Sequence, residues 1–184
     1  MRDFNKCWYE EVCEDKHPGC QSTCEQYIEM KYLMEHSGLP KSKQQIISLY
    51  PQACDKDAFI RLREIKDNIV DFVDDGNNLY LCSKKCGNGK TSWAIKLLQS
   101  YFNNVWDEGD IYVIRYNFKV RGLFIHVPTF LGKCKDFKTT DFEFEELKNL
   151  IPKVDLVIWD EIATVDVTDY DYSQLLRFID ARSL

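Results

Sequence analysis

The sequence predicts an α/β protein in which helices flank a parallel sheet. From residue 79 onward, segments typical of buried strands alternate with helical segments, which is the pattern of sheets built with helical crossovers. A glycine-rich turn containing Gly87 and Gly89 lies between one such strand and a helix. A second apolar segment, residues 154–159, ends in two acidic residues. Together these observations indicate a sheet that presents a ligand site at one edge.

Composition and charge exclude several classes of protein. The 184 residues are 45% apolar and 29% charged, as expected for one domain or for one domain with a small appendage. The mean hydropathy of −0.40 and the lack of a long apolar run argue against a membrane span. The first residues, MRDFNKCWYEE, contain no apolar signal segment. A net charge of −6 argues against wholesale coating of nucleic acid. We therefore expect a cytoplasmic protein with no membrane partner.

The chain divides into three parts by sequence character: a cysteine-rich module at residues 1–40, a linker at 41–56, and the α/β domain at 57–184. In the first part, residues 24–34 are predicted to be helical, and Gly38 and Pro40 are expected to close that helix. Residues 57–74 are also predicted to be helical, with a turn at 75–78. The apolar stripe of this second helix comprises Phe59, Leu62, Ile65, Ile69, Phe72 and Val73.

The remaining elements follow in alternation. A short buried strand is predicted at residues 79–82 and an amphipathic helix at 92–102. Further along the chain, extended segments are predicted at 111–114 and 123–127, a helix at 142–150, and a buried strand at 154–159.

Residues 83–92, SKKCGNGKTS, predict a phosphate-binding loop, because they follow a predicted strand and open a helix. The loop's backbone N–H groups and the positive end of the helix favour a bound phosphate. The Lys90 ammonium is expected to reach the β- and γ-phosphates, and the Thr91 hydroxyl to ligate Mg²⁺. Lys84 departs from the motif, which has glycine there. The alternative is a strand-to-helix turn without a ligand. The predicted nucleotide-binding residues are Gly87, Asn88, Gly89, Lys90, Thr91, Ser92 and Asp160.

The acidic pair Asp160–Glu161 ends the strand at 154–159, and a parallel strand delivers its last residues to the ligand edge of the sheet. Asp160 is expected to hold Mg²⁺ through Thr91 or through water. Glu161 is expected to be the general base that polarises the attacking water. A helix cap is the alternative role of such a pair. Lys90 and Glu161 are therefore the predicted catalytic residues.

Four of the eight cysteines cluster near the N-terminus: Cys7, Cys13, Cys20 and Cys24. Four thiolates satisfy a tetrahedral Zn²⁺ ion, and metal binding can supply folding energy to a small module. His17 or His36 could replace one cysteine. Four unrelated reduced thiols are the alternative interpretation. The scattered cysteines are expected to be small core residues.

A second cluster interleaves basic and aromatic residues, a combination that suits single-stranded nucleic acid through phosphate contacts and base stacking. Solvated lysines beside core aromatics are the alternative. The cluster comprises Arg115, Tyr116, Phe118, Lys119, Arg121, Phe130, Lys133, Lys135, Phe137 and Lys138.

The motifs GNGKTSWA at residues 87–94 and LVIWDEI at 156–162 resemble those of the DnaC/DnaI-like replicative helicase loaders, especially the short forms of phages and mobile elements. Residues 24–30, CEQYIEM, and 121–129, RGLFIHVPT, extend the resemblance. It implies an AAA+ ATPase domain with a five-stranded parallel sheet, which would be incomplete at its C-terminal end here. It also implies an N-terminal module that binds the hexameric helicase, self-association, and ATP-dependent loading on single-stranded DNA. Because an arginine finger would lie beyond residue 184, weak ATP hydrolysis is expected.

Two other functions remain open at this point. A nucleotide-gated adaptor would use ATP binding to switch a partner interface, with hydrolysis incidental to that role. A transposition-helper ATPase of the IstB type would share the ATPase domain. The cysteine cluster favours the helicase loader over the IstB-like helper.

Overall fold

Eight α-helices and two strands make up the described part of the chain. The computed structural model describes residues 7–9, 13–14, 17, 19–44, 48–52, 55–83, 87–105, 118–136, 141–162 and 168–182. No helix among these residues is long and apolar enough to cross a bilayer. In chain order the elements are α1 (Cys20–Thr23), α2 (Glu25–His36), a 3-10 turn (Lys41–Lys43), α3 (Lys56–Asp67), α4 (Ile69–Asp74), α5 (Lys90–Asn104), β1 (Gly122–His126), α6 (Val127–Lys135), α7 (Phe142–Leu150), β2 (Leu156–Asp160) and α8 (Asp169–Asp180).

The two strands form a parallel sheet, which confirms the predicted α/β class. The register runs from Gly122 opposite Leu156 to His126 opposite Asp160. The chain between them contains α6 and α7, so the strands are joined by a helical crossover. Two described strands are fewer than the five that the helicase-loader resemblance implies. The structure therefore supports a small α/β sheet and does not extend to the AAA+ fold.

Side chains alternate between the two faces of this sheet, because successive residues of a strand point in opposite directions. On one face, Phe124 packs in a cluster with α2 and α5, and the alternate residues of β2 join it. On the other face, a second cluster is formed with α6, α7 and α8. The strand residues of this second cluster are Leu123, Ile125, Val157 and Trp159. Helices thus cover both faces, as in most parallel sheets.

Helix α2 packs in the same cluster as α5 and β1. Its buried residues Met30, Leu33 and Met34 lie with Leu98 and Phe102 of α5. Each such side chain contributes about 1.5–3 kcal/mol through its burial. Just beyond the helix, the Phe124 backbone N–H donates to the Ser37 carbonyl oxygen at 2.7 Å. The helix predicted at 24–34 is therefore confirmed, and it packs directly against the sheet.

Gly38 follows α2 with a φ of +76°, a left-handed conformation that glycine adopts at little cost. A Cβ at this position would lie 3.0 Å from the carbonyl oxygen of Phe124. The glycine therefore both ends the helix and allows the close approach of the chain to β1. This is the helix-closing role predicted for it.

Two predicted elements differ in the structure, and two predicted helices are confirmed. Residues 79–82 are not a strand, and the side chains of Leu79 and Tyr80 are 39% and 69% exposed. The helix predicted at 57–74 is split into α3 and α4 at Asn68, whose φ of −122° and ψ of 36° are not helical. Helices α5 and α7 are confirmed. The extended segment predicted at 111–114 lies outside the described residues.

A polar cluster anchors the end of β2 that is remote from Asp160. Asp155 accepts hydrogen bonds from Tyr101 of α5, at 2.9 Å, and from Arg121. Burial and the Asp155 carboxylate raise the pKa of Tyr101 to about 12. Arg182 donates to the carbonyl oxygens of Ile151 and Val154, at 2.6 and 2.7 Å. These contacts fix the start of the strand that carries the acidic pair.

Gly122, at the start of β1, leaves no room for a side chain. A Cβ there would lie 2.8 Å from a methyl group of Leu98 and 2.9 Å from the ring of Phe102. We expect Gly122→Ala to lower the free energy of unfolding by about 1–3 kcal/mol, because α5 would have to shift from the sheet. Gly132 in α6 has open space around it, so Gly132→Ala is the matched control and is expected to stabilise the helix slightly. Urea unfolding followed by circular dichroism measures both. Equal stability of the two variants would contradict the close packing at Gly122.

Candidate functional site

Two glycines of the loop before α5 have left-handed backbone conformations. Gly87 and Gly89 have φ angles of +74° and +87°. This left-handed region costs other residues about 1–2 kcal/mol each, which accounts for glycine at both positions. Helix α5 begins directly afterwards at Lys90, and the Trp93 N–H donates to the Gly89 carbonyl oxygen at 2.8 Å. Lys84 lies outside the described residues, so its departure from the motif has no structural account.

The N-terminus of α5 is suited to an anion. No described side chain caps it, and no acidic residue occupies its first turn. The first N–H groups of a helix and its dipole favour a negative ligand at this end. The Lys90 ammonium lies over the loop, where it donates to the Asn88 side-chain oxygen at 3.2 Å. The described part of this loop combines backbone donors with the Lys90 ammonium.

The acidic pair and the glycine loop meet at the carboxyl edge of the sheet. The Thr91 hydroxyl donates to the Asp160 carboxylate, at 3.0 Å from one oxygen and 3.3 Å from the other. These residues are 69 positions apart in the sequence. A hydroxyl and a carboxylate in contact supply the hard oxygen donors that Mg²⁺ prefers. The two motifs on which the sequence analysis depends thus form one site.

Glu161 lies at the same edge in an unusual conformation. Its φ of +62° is the one positive value found for a described residue other than glycine. Such strain persists only where surrounding contacts hold it, and it concentrates at functional sites. Here the Glu161 carboxylate lies 3.0 Å from Nε2 of His126. The other ring nitrogen, Nδ1, lies 2.7 Å from the Thr129 hydroxyl.

His126 is a site residue that the sequence analysis did not assign. It ends β1 directly opposite Asp160, so the sheet register places it beside the acidic pair. The sequence signal that could have identified His126 is a polar residue at the end of one strand, next to the strand that carries the acidic pair. Its contact with Thr129 orients the ring, and the ring in turn orients the Glu161 carboxylate. We interpret His126 as a positioning residue for Glu161.

All four N-terminal cysteines are half-buried. Burial raises the pKa of the Cys7 thiol, and the charges of Cys24, Cys20 and Cys13 raise it further. Within the described segments, however, no group of three or more Cys, His, Asp or Glu side chains is arranged to hold a metal ion. The zinc site stays a prediction. His36 is engaged elsewhere, with its ring stacked on Tyr32 at 4.0 Å and Nδ1 2.8 Å from the Tyr32 carbonyl oxygen.

The scattered cysteines only partly match the predicted core role. Cys134 is half-buried and packs beside the second hydrophobic cluster, and burial raises the pKa of its thiol. Cys82 is exposed, so the prediction is wrong for this residue. The reason is that residues 79–83 do not form the buried strand on which the prediction depended. Cys54 and Cys86 lie outside the described residues.

Three of the four described basic residues of the predicted nucleic-acid cluster pair with acidic groups of the protein itself. Arg121 pairs with Asp155. Lys133 and Lys135 lie 2.7 and 2.8 Å from the carboxylates of Asp141 and Asp171. The two lysine pairs hold α6 against the helices that follow it. All three pairs reduce the positive charge available to phosphates.

The aromatic residues of that cluster are similarly engaged. Phe130 is buried in the second hydrophobic cluster, where its ring packs against Phe144, Trp159 and Phe178. Phe118 stacks on Tyr32 at 4.8 Å between ring centroids. Arg115, Tyr116, Phe137 and Lys138 lie outside the described residues. Among the described members of the cluster, only Lys119 is exposed and takes no part in these ion pairs and ring contacts. The described part of the cluster is therefore not a continuous basic surface.

Comparisons with known proteins add no identification. No protein-family model matches the chain, and neither the curated proteins nor the solved structures contain a significant match. The geometry of the site and the motifs therefore remain the basis for inferring a function.

Proposed function

We propose that this protein binds and hydrolyses ATP and uses the cycle to load a replicative hexameric helicase onto single-stranded DNA. The single observation that carries the ATPase part is the contact of 3.0 Å between Thr91 and Asp160. It joins a glycine-rich lysine loop to an acidic strand end, which is the minimum arrangement for holding a magnesium-bound triphosphate. The helicase part depends on the resemblance of the motifs.

Each residue of the site has a role in this proposal. The backbone N–H groups of the loop and the Lys90 ammonium would bind the phosphate oxygens. Thr91 and Asp160 would hold Mg²⁺, which when bound neutralises charge that develops on the phosphates. Glu161 would accept a proton from the attacking water. His126 would hold the Glu161 carboxylate in place, because its ring is itself fixed by Thr129.

Binding of Zn²⁺ by Cys7, Cys13, Cys20 and Cys24 is part of the proposal for the N-terminal module. We expect about one equivalent of zinc in the purified protein by elemental analysis, because four thiolates complete one tetrahedral site. Cys20→Ser is expected to lose the metal, since three thiolates leave the site incomplete. Cys134→Ser, which changes a half-buried thiol elsewhere in the fold, is the control. Zinc-free wild-type protein, or zinc retained by Cys20→Ser, would reject the four-cysteine site.

Capture of the helicase tests the biological part of the proposal directly. The full chain, immobilised by a tag, is expected to retain the replicative helicase of its host when ATP is present. A variant that cannot bind ATP, Lys90→Ala, is expected to retain much less, if assembly depends on the nucleotide. Retention of the helicase by neither protein would contradict the loader function. It would leave the ATPase site to be tested separately by nucleotide binding.

A nucleotide-gated adaptor is the second candidate, and one observation favours it. The Glu161 carboxylate is already engaged by His126 at 3.0 Å. For an adaptor, the same contact would occupy the carboxylate rather than position it as a base, hydrolysis would be slow, and ATP binding alone would switch a partner interface. The adaptor needs no turnover, whereas the loader does. Substitution of Glu161 therefore separates the two.

A further inference from the structure

An aromatic pair joins the first turns of α3 and α5. The rings of Phe59 in α3 and Trp93 in α5 lie 5.1 Å apart between centroids, with their planes at 76°. Both side chains are half-buried, and neither belongs to either hydrophobic cluster. Two large rings that lie outside the core and partly in contact with solvent can bind a further flat, apolar group.

Two contacts determine the direction of α3 relative to α5. Phe59 contacts Trp93, and further along both helices the Ser100 hydroxyl donates to the Lys66 carbonyl oxygen at 3.1 Å. Each contact joins residues 34 positions apart, so the two helices run side by side in the same direction. The aromatic pair therefore lies at the end of α5 where the glycine loop is.

The position of Trp93 on α5 defines the side of the helix on which the pair lies. Trp93 is in the first turn, and its backbone N–H donates to the Gly89 carbonyl oxygen at 2.8 Å. Side chains of a helix lean toward its N-terminus, so the Trp93 ring leans toward the glycine loop. Consecutive helix positions are about 100° apart, which places Trp93 on nearly the opposite side of α5 from Thr91 and its partner Asp160. The aromatic pair and Asp160 thus lie on opposite sides of the helix N-terminus.

This placement matches the two ends of a nucleoside triphosphate, which carries its γ-phosphate at one end and a flat base at the other. We propose that Phe59 and Trp93 bind the base, with the γ-phosphate toward Asp160. A ring stacked on one member of the pair meets the other at nearly a right angle, and both arrangements are among those that aromatic rings prefer. This base site rests on the proposed ATP site, whose residues contact only the phosphates, the magnesium ion and the attacking water.

A purely structural pair would only hold α3 against α5. Loss of a ring would then lower the melting temperature, but it would affect the binding of ATP and of a triphosphate without a base equally. Inorganic tripolyphosphate is such a ligand, because it has a chain of three phosphates and no ring. Comparison of the two ligands therefore separates base binding from helix packing.

Calorimetric titration of the full chain with ATP and with tripolyphosphate, each with Mg²⁺, tests the base site. Phe59→Ala and Trp93→Ala are each expected to weaken ATP binding about tenfold, as for the loss of one contact between a base and an aromatic ring, and to leave tripolyphosphate binding unchanged. Phe59→Tyr and Trp93→Phe keep a ring and are expected to retain the affinity for ATP within about threefold. Ile60→Ala changes the neighbouring residue, which is 45% exposed, and is the control expected to affect neither ligand.

A measurement on the wild-type protein does not depend on the folding of any variant. In the protein saturated with ATP, we expect nuclear Overhauser contacts between the ring protons of adenine and the indole protons of Trp93, which are assigned with Trp93→Phe. The base site is overturned if these contacts are absent, or if the alanine variants weaken both ligands equally or leave the affinity for ATP unchanged. Binding of neither ligand by the wild-type protein would instead contradict the ATP site itself, and the base site with it.

Discussion

Lys90→Ala is expected to weaken ATP binding by about 100-fold or more, which corresponds to about 2.7 kcal/mol. The Lys90 ammonium follows the glycines of the loop directly in sequence and donates to the Asn88 side-chain oxygen at 3.2 Å. Hydrogen bonds to charged groups contribute about 1.5–3 kcal/mol each, and the ammonium is expected to contact two phosphates. Isothermal titration calorimetry with ATP and Mg²⁺ measures the change.

Lys153→Ala is the matched control for this experiment, because it removes an exposed lysine remote from the loop. Lys90→Ala is expected to keep its fold, since alanine favours the first turn of α5 and the lysine side chain is not part of either hydrophobic cluster. Circular dichroism checks this point. An unchanged affinity for ATP in a folded Lys90→Ala protein would show that the glycine loop does not bind the triphosphate.

Local sequence patterns predicted the parts of this fold that depend on local physics. Helices α2 and α5 follow from apolar residues at three- and four-residue spacing. The glycines at 87 and 89 mark left-handed backbone that other residues adopt only at a cost. The sheet accounts for Asp160 at the carboxyl end of β2, but residues 79–82 before the glycine loop are not a strand, so the sheet rule alone does not account for the meeting of Thr91 with Asp160.

The errors arose where tertiary contacts decide the outcome. Residues 79–82 have an apolar composition typical of a strand, yet Tyr80 is exposed, because a strand also needs a partner in a sheet. Arg121 and Lys135 appeared to be available cations, but each pairs with a carboxylate more than thirty residues away. Such long-range ion pairs leave no local signal. The His126 contact with Glu161 depends in the same way on the register of two distant strands.

Glu161→Gln is expected to reduce ATP turnover by about 10²–10⁴-fold, the usual contribution of a general base. Glutamine cannot accept the proton of the attacking water, although it has nearly the same size and shape as glutamate. The strained φ of +62° is equally costly for both residues, so the fold and the affinity for ATP are expected to persist. Steady-state phosphate release measures the turnover, and calorimetry measures the affinity.

The same variant separates the two proposed functions. A loader that needs hydrolysis is expected to stall on the helicase with ATP bound, whereas an adaptor gated by ATP binding is expected to work normally. Glu146→Gln, an exposed residue of α7, is the control for the change of charge. His126→Ala tests the positioning contact, and roughly tenfold slower turnover at unchanged ATP affinity is expected from the loss of one orienting hydrogen bond. Wild-type turnover by Glu161→Gln would remove Glu161 from the chemistry, because a residue that accepts the proton cannot be replaced by an amide without loss of rate.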